Sequence, residues 1–274
     1  MTRPPRHLPD VTALPSAWRD TLQAAAQQAP ASPRVALHLA PGGPHIGSVE
    51  AARLPSMRAA ALPLTHDTPD GVALAGPADL ALAALARWLR EGSSRWRDEP
   101  LDVRDLEGAP VAVVERDAAR PLGITTTAVH LIGHTADGRV WLQQRAADKA
   151  TDPNRWDTLV GGLVSAGESL ATSLARETWE EAGLSLNALS GLRHLGRVSL
   201  HRPVPEGFQV QHIEVFDAAL GDAHAPENRD GEVQAFACVT REALVARLLA
   251  GDFTLEAALA FDRWLHAPPS AGST

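Results

Sequence analysis

One cysteine, Cys238, stands in 274 residues, so no internal disulfide can form, and no Cys/His cluster has the spacing of a zinc site. Basic residues are in the minority. The 25 Lys and Arg face 33 Asp and Glu, a formal charge of −8 that argues against a nucleic-acid polymer or an anionic membrane as partner, since both require basic patches. No apolar run approaches the ~18 residues of a membrane span. The start of the chain, residues 1–11, is rich in Pro and charge and lacks the apolar stretch of a secretory signal. Internal repeats and low-complexity tracts are missing too. These absences lead to the expectation of a soluble cytoplasmic protein in a reducing setting. They leave room for a small phosphorylated ligand that comes with its own metal. Cys238 lies in the apolar run 233–239 and reads as a buried structural thiol.

The length suffices for one large domain or two smaller ones, and the change of pattern near Pro121 favours two. Before it, residues 16–29 read as an amphipathic helix with Ser16 as N-cap, residues 34–40 and 46–51 as strands joined by Pro41-Gly42-Gly43-Pro44, and residues 77–90 as a second helix ending in Glu91-Gly92-Ser93-Ser94. None of these carries recognisable chemistry. After it, an apolar strand runs from Thr125 to His134, turns at Asp137-Gly138 and returns over residues 139–144. Further strands are expected at 192–200, 210–219 and 233–239, and helices at 241–250 and 255–266. Strands mixed with helices in this order predict α/β (α+β) packing around a mixed sheet. The expected division is a small α+β N-terminal domain over 1–120, of uncertain role, and a second domain over 121–274.

The most informative stretch is Gly162-Leu-Val-Ser-Ala-Gly-Glu168 followed by Arg176-Glu177-Thr178-Trp179-Glu180-Glu181-Ala182-Gly183-Leu184. Between Glu168 and Ala182 there is no Gly or Pro, and Ala, Leu, Arg and Glu predominate, so a helix is expected there, terminated by Gly183. At ~100° per residue Glu177, Glu180 and Glu181 share one arc of that helix. Such carboxylates repel one another, on the order of a few tenths of a kcal/mol per exposed pair, and a divalent cation reverses the sign. Oxygen ligands favour Mg²⁺ or Mn²⁺.

This pattern resembles the signature of the Nudix hydrolases, matched by Gly162, Glu168, Arg176, Glu177, Glu180, Glu181, Gly183 and Leu184, with Thr178 where an aliphatic is usual. The resemblance implies an α/β/α sandwich around a mixed sheet, and hydrolysis of a phosphoanhydride in a small-molecule diphosphate by direct attack of water. It further implies that Glu177, Glu180 and Glu181 hold Mg²⁺ with the backbone carbonyl of Gly161, that Arg176 orients Glu177, and that Glu168 supports the loop. Glu177 and Glu232 are the candidates for the base.

Glu115-Arg116, Gly123-Ile124, Trp141-Leu142-Gln143-Gln144-Arg145, Lys149, Pro153, Trp156-Asp157, Asp230-Gly231-Glu232-Val233 and Gly251-Asp252-Phe253 look like the Nudix subgroup related to the domain fused to thiamine pyrophosphokinase. The usual Pro-Gly before the aromatic is here Pro153-Asn154. That resemblance implies thiamine diphosphate, or its oxidised and damaged analogues, as substrate. Arg145 and Lys149 are candidate phosphate contacts, and Trp141, Trp156 and Phe208 candidate faces for a thiazolium ring. Other readings are a Nudix hydrolase of another nucleoside or coenzyme diphosphate, and a catalytically silent Nudix ligand sensor. The Gln-Gln-Arg, Lys and Trp pattern also resembles isopentenyl-diphosphate isomerase, but that enzyme uses an early catalytic cysteine and Cys238 is far from the position. The N-terminal part is expected to tune substrate access or supply the contacts of a homodimer.

Overall fold

The computed structural model describes residues 13–65, 70–91, 96–221 and 224–268. The charged start over 1–11 and the helix stop at Gly92-Ser93-Ser94 lie outside the described residues.

Helix α1 (Ser16–Ala26) precedes a four-stranded sheet built from β1 (Arg34–His38), β2 (His45–Glu50), β3 (Leu64–Thr65) and β4 (Gly71–Leu74), with α2 (Leu54–Ala59) between its second and third strands. The strand order is β2-β1-β4-β3, with β1 antiparallel to β2 and parallel to β4. Helix α3 (Ala78–Arg90) buries Ala81, Leu82, Leu85 and Ala86, the i, i+1, i+4, i+5 stripe of an amphipathic helix. These side chains share one core with the hairpin of β5 (Pro100–Arg104) and β6 (Pro110–Glu115) and with the short α4 (Arg116–Ala119).

The second half follows as β7 (Thr125–His134), β8 (Val140–Arg145), β9 (Trp156–Asp157), β10 (Val160–Leu163), α5 (Leu170–Ala182), β11 (Ser190–Val204), β12 (Gly207–Ala219), β13 (Val233–Val239), α6 (Arg241–Ala250) and α7 (Leu255–Leu265). The order β11-β12-β7-β8-β13 is mixed, since β7 runs parallel to β12 and antiparallel to β8 and β10. Strand alternation divides the apolar residues between two layers. Ala128 and Ile132 of β7 pack under α7, while Val129 and Leu131 pack under α5. The result is an α/β/α sandwich. Among the described residues no helix is long and apolar enough to cross a membrane.

Two features of this half bear on the site. Helix α1, although it comes before the four-stranded sheet in sequence, buries Leu22 and Ala26 in the core beneath α7 and β11. Helix α5 has 13 residues and spans about 20 Å, whereas the 13 residues of β12 extend about 44 Å. The helix covers the part of β12 around Phe216 and Ala218, and the stretch from Phe208 to Glu214 extends beyond it.

Since Leu22 is the main apolar anchor of α1, Leu22→Ala is expected to lower the stability of the chain by about 2–5 kcal/mol in chemical denaturation. A loss below about 1 kcal/mol would mean that α1 is not an integral part of the sandwich.

Candidate metal and phosphate site

Glu168 ends a turn in which Gly167 takes a positive φ of 77°. The helix begins after it, because the Ser169 side chain accepts the Thr172 N–H at 3.1 Å and so caps the first turn of α5. Gly183 stops the helix in the left-handed region, at φ 65°. Thr178, where the family pattern has an aliphatic, is fully buried and donates its hydroxyl to the Leu174 carbonyl at 2.6 Å, so its polar atom is satisfied within the helix.

Arg176 lies at the centre of the site. Its guanidinium donates to Glu168 at 3.1 and 3.0 Å, to Glu177 at 2.8 Å, to Glu180 at 3.0 Å and to the Leu163 carbonyl at 3.2 Å. These partners raise its affinity for the proton above that of a free guanidinium. Glu168 accepts a further bond from the Ser173 hydroxyl, and these contacts hold its carboxyl below the ordinary carboxylate value. Glu177 lies over the backbone of Gly162. A Cβ at that position would fall 2.0–2.4 Å from its carboxyl atoms, so any larger residue there displaces the carboxyl from this place. Burial pushes Glu177 up to about 7, against the pull of Arg176, and the charges of Glu180 and Glu232 add to the rise. Glu181 is only 2% exposed and accepts the Gly161 N–H at 2.8 Å and the Gln143 amide at 3.0 Å. Burial, reinforced by Glu177, raises it well above the carboxylate range.

Glu177 and Glu180 thus converge on a single guanidinium nitrogen, with Glu181 electrostatically coupled to them. Among the described residues no three His, Cys, Asp or Glu side chains form a ready metal cage, with Arg176 and Gly161 holding the glutamates. The donor set nevertheless fits a hard divalent cation. All its atoms are oxygens, two carboxylates already aim at a cation, and Gln143 Oε1 is buried beside Glu181 without a partner. The Gly161 N–H fixes Glu181 in this arrangement, on the same residue whose carbonyl the resemblance implies as a metal ligand.

The other expected residues are distributed more widely. Lys149, the single lysine of the chain, forms an ion pair with Glu232. Glu232 follows the Asp230-Gly231 turn, whose Asp230 side chain accepts the Glu232 N–H at 2.8 Å. Burial raises this carboxyl, but Lys149 outweighs that effect and holds it below the ordinary value. Arg145 donates to the Thr151 carbonyl at 3.2 and 3.0 Å and lies 3.5 Å from buried Asp157. Trp156 packs against the α7 core with the Arg247 guanidinium 4.7 Å from its ring centre, and Trp141 packs on the α5 side. Asn154 adopts a left-handed φ of 62°, which supplies the backbone conformation that glycine usually provides in Pro-Gly.

Of the aromatic candidates, Phe208 lines a large cavity. It has a volume of about 680 Å³ and lies between the N-terminal part and the β7-β12-β11 face, with Glu168 in its wall. Sequence reasoning missed this cavity and the clamp beside it, in which the Pro100 carbonyl accepts the Ala166 N–H at 2.9 Å and Asp102 accepts the Gly167 N–H at 3.1 Å. The available signal was the even-numbered series Phe208, Val210, His212 and Glu214, too polar for a core and too apolar for a solvated strand.

A family model of the NUDIX domain matches residues 124–259. The chain is 33% identical over 144 residues to Nudix hydrolase 20, chloroplastic, of Arabidopsis thaliana, covering 51% of this chain and 38% of that protein. It is 34% identical over 116 residues to an uncharacterized Nudix hydrolase of Pseudomonas aeruginosa, covering 42% of this chain and 67% of the other. Identity to the NAD-capped RNA hydrolase NudC of Mycobacterium tuberculosis is 33% over 158 residues, or 54% and 46% of the two chains. The chain belongs to the Nudix hydrolase family. It spans 38% and 40% of the length of the two Arabidopsis relatives it matches.

Gly162→Ala is expected to displace the Glu177 carboxyl and weaken Mg²⁺ binding at least tenfold in a titration, in a protein that still unfolds cooperatively. An unchanged Mg²⁺ affinity would mean that Glu177 is not a ligand.

The raised carboxyl of Glu177 carries a pH signature with a definite sign. Between the ordinary 4.5 and about 7 the folded metal-free protein holds a proton that the unfolded chain has released, so this group's contribution to stability is lost as pH rises through that window. Mg²⁺ requires the ionised form. The gain in Tm on adding Mg²⁺ should therefore be small at pH 5.5 and large at pH 7.5, and a gain independent of pH would contradict the assignment.

Proposed function

We propose that the protein hydrolyses the phosphoanhydride bond of a small-molecule diphosphate in a Mg²⁺-dependent reaction, with Mn²⁺ as a substitute. The observation that carries this reading is the convergence of Glu177 and Glu180 on Arg176, beside buried Glu181, at a position where a Cβ on Gly162 would displace the Glu177 carboxyl. Glu177, Glu180 and Glu181 would hold the metal, which when bound polarises the phosphate and makes water a better nucleophile. Arg176 bonds Glu177 and Glu180 and keeps both aimed, and Glu168 fixes Arg176 from the loop side. With Glu177 engaged as a ligand, Glu232 is the carboxylate left to accept the proton of the attacking water. Its charge raises Glu177, so it lies close to the site, and Lys149 keeps it ionised.

Two substitutions separate these roles. Glu181→Gln should raise the Mg²⁺ concentration needed for half-maximal turnover, and wild-type turnover at limiting Mg²⁺ would remove Glu181 from the ligand set. Glu232→Gln should lower kcat by about 10²-fold or more with an unchanged Mg²⁺ requirement. An unaltered kcat would return the role of base to Glu177.

For the substrate, the reading is thiamine diphosphate or its oxidised analogues, converted to the monophosphate. It is supported by the resemblance carried by Gln143-Gln144-Arg145, Lys149, Trp156-Asp157 and Asp230-Gly231-Glu232. A nucleoside diphosphate derivative is the second reading, favoured by the likeness to a protein named as an NAD-capped RNA hydrolase. The comparison that decides is kcat/KM for thiamine diphosphate, oxothiamine diphosphate, NADH and nucleoside diphosphates at one Mg²⁺ concentration. A nucleotide that wins tenfold, about 1.4 kcal/mol in the transition state, excludes the thiamine reading.

A further inference from the structure

We infer that the cavity between the N-terminal part and the sheet holds the organic half of the diphosphate, and that this half is an uncharged or cationic heteroaromatic group. The inference rests on the phosphoanhydride reading above and assigns a compartment which that reading leaves open.

Position is the first argument. Glu168 stands in the cavity wall, and its carboxylate shares the Arg176 guanidinium with Glu177 and Glu180. One guanidinium therefore links the cavity wall to the proposed phosphate site, which makes the cavity the neighbouring compartment for the substituent of a diphosphate held there. The volume, about 680 Å³, is that of a small-molecule compartment. Its origin lies in the fold. The even-numbered side chains of β12 extend past α5, and instead of open solvent they meet β2 and the tip of the β5–β6 hairpin. The N-terminal part is tied across this gap by main-chain bonds from the Ser48 N–H to the Leu122 carbonyl at 2.7 Å and from the Phe208 N–H to the Arg120 carbonyl at 3.0 Å. One wall therefore belongs to residues outside the matched family domain.

Chemistry is the second argument. Phe208, whose ring has the Arg34 guanidinium 6.0 Å from its centre, lines the cavity together with Ile46 and Leu106 from the N-terminal part. The His212 ring makes no hydrogen bond among the described residues, and burial pushes it below the ordinary histidine value, as it does His45 across the cavity. Burial biases both imidazoles towards the neutral form; the His45 ring already bonds the Gly47 backbone, and the His212 ring offers one donor and one acceptor to ring nitrogens or amino groups. The cations in the wall are already engaged. Arg197 is bonded to buried Glu214 at 2.6 Å, and Arg104 to Asp102 at 2.7 Å. At the rim Asp105 and Glu107 enter no ion pair among the described residues, so a second anionic group on the ligand would meet repulsion.

Calorimetric titration of the full chain without added metal reads the cavity separately from turnover. The probes are thiamine monophosphate, AMP and glycerol 3-phosphate, and the variants are Phe208→Ala, His212→Gln and, as a control on the exposed side of α5, Trp179→Ala, each checked for an unchanged unfolding transition. At least one aromatic monophosphate should bind the wild type and Trp179→Ala equally, bind Phe208→Ala or His212→Gln at least tenfold more weakly, and exceed glycerol 3-phosphate in affinity. Equal binding of glycerol 3-phosphate overturns the heteroaromatic assignment. Insensitivity to both cavity variants, or binding of none of the probes, overturns the compartment itself. Preference for AMP leaves the compartment in place and excludes thiamine. A wild type that binds in the cavity but hydrolyses no diphosphate with Mg²⁺ sinks the catalytic reading alone.

Discussion

The arrangement of the site depends on one charge. Among the described residues Arg176 is the only cation bonded to Glu168, Glu177 and Glu180, and it also holds the Leu163 carbonyl at the edge of β10. Without it three carboxylates on and beside one helix would repel in a half-buried environment, where that repulsion is screened less than on an open surface. Its planar fork matters as much as its charge, since lysine could not bridge the loop, the helix and the strand at once. The glycine-rich strand and α5 can approach closely because Gly162 leaves space for Glu177, and Arg176 then keeps the two elements in register.

A consequence of this economy is a site poised between two states. With its carboxylates held by Arg176 and by the Gly161 N–H, the metal-free protein keeps acids of raised proton affinity under the glycine loop. A divalent cation would replace proton and guanidinium contacts by stronger ones. The neighbouring Lys149–Glu232 pair joins two separate loops.

Those parts of the fold that carry their own local signal were legible in the chain. The Asp137-Gly138 turn between apolar strands, the helix closed by Gly183 and the last two helices needed no distant partner to be recognised. Strands β9 and β10 have two and four residues, below any readable periodicity, and exist only because β8 and β7 pair with them. Amphipathic α1 was readable as a packing helix, but its docking on α7 is a long-range event that no nearby residue encodes. Within the site the split is similar. Glu177, Glu180, Glu181 and Arg176 share one helix, so spacing alone brings them together. The surroundings of Arg145, Trp156 and Phe208 are set by other segments, and residue type could not distinguish the ring covered by Arg247 from the one that lines the cavity.

The clamp between the β5–β6 hairpin and the glycine loop bears on how this chain can change. Pro100 and Asp102 hold the backbone of Ala166 and Gly167, immediately before Glu168, so the loop is positioned partly from within its own domain and partly from the segment that precedes it. The two halves are therefore not interchangeable parts. A graft of the preceding segment onto another Nudix domain would have to carry the hairpin's register with it, and insertions in the hairpin stem would reach the glycine loop even though they lie some sixty residues upstream of it.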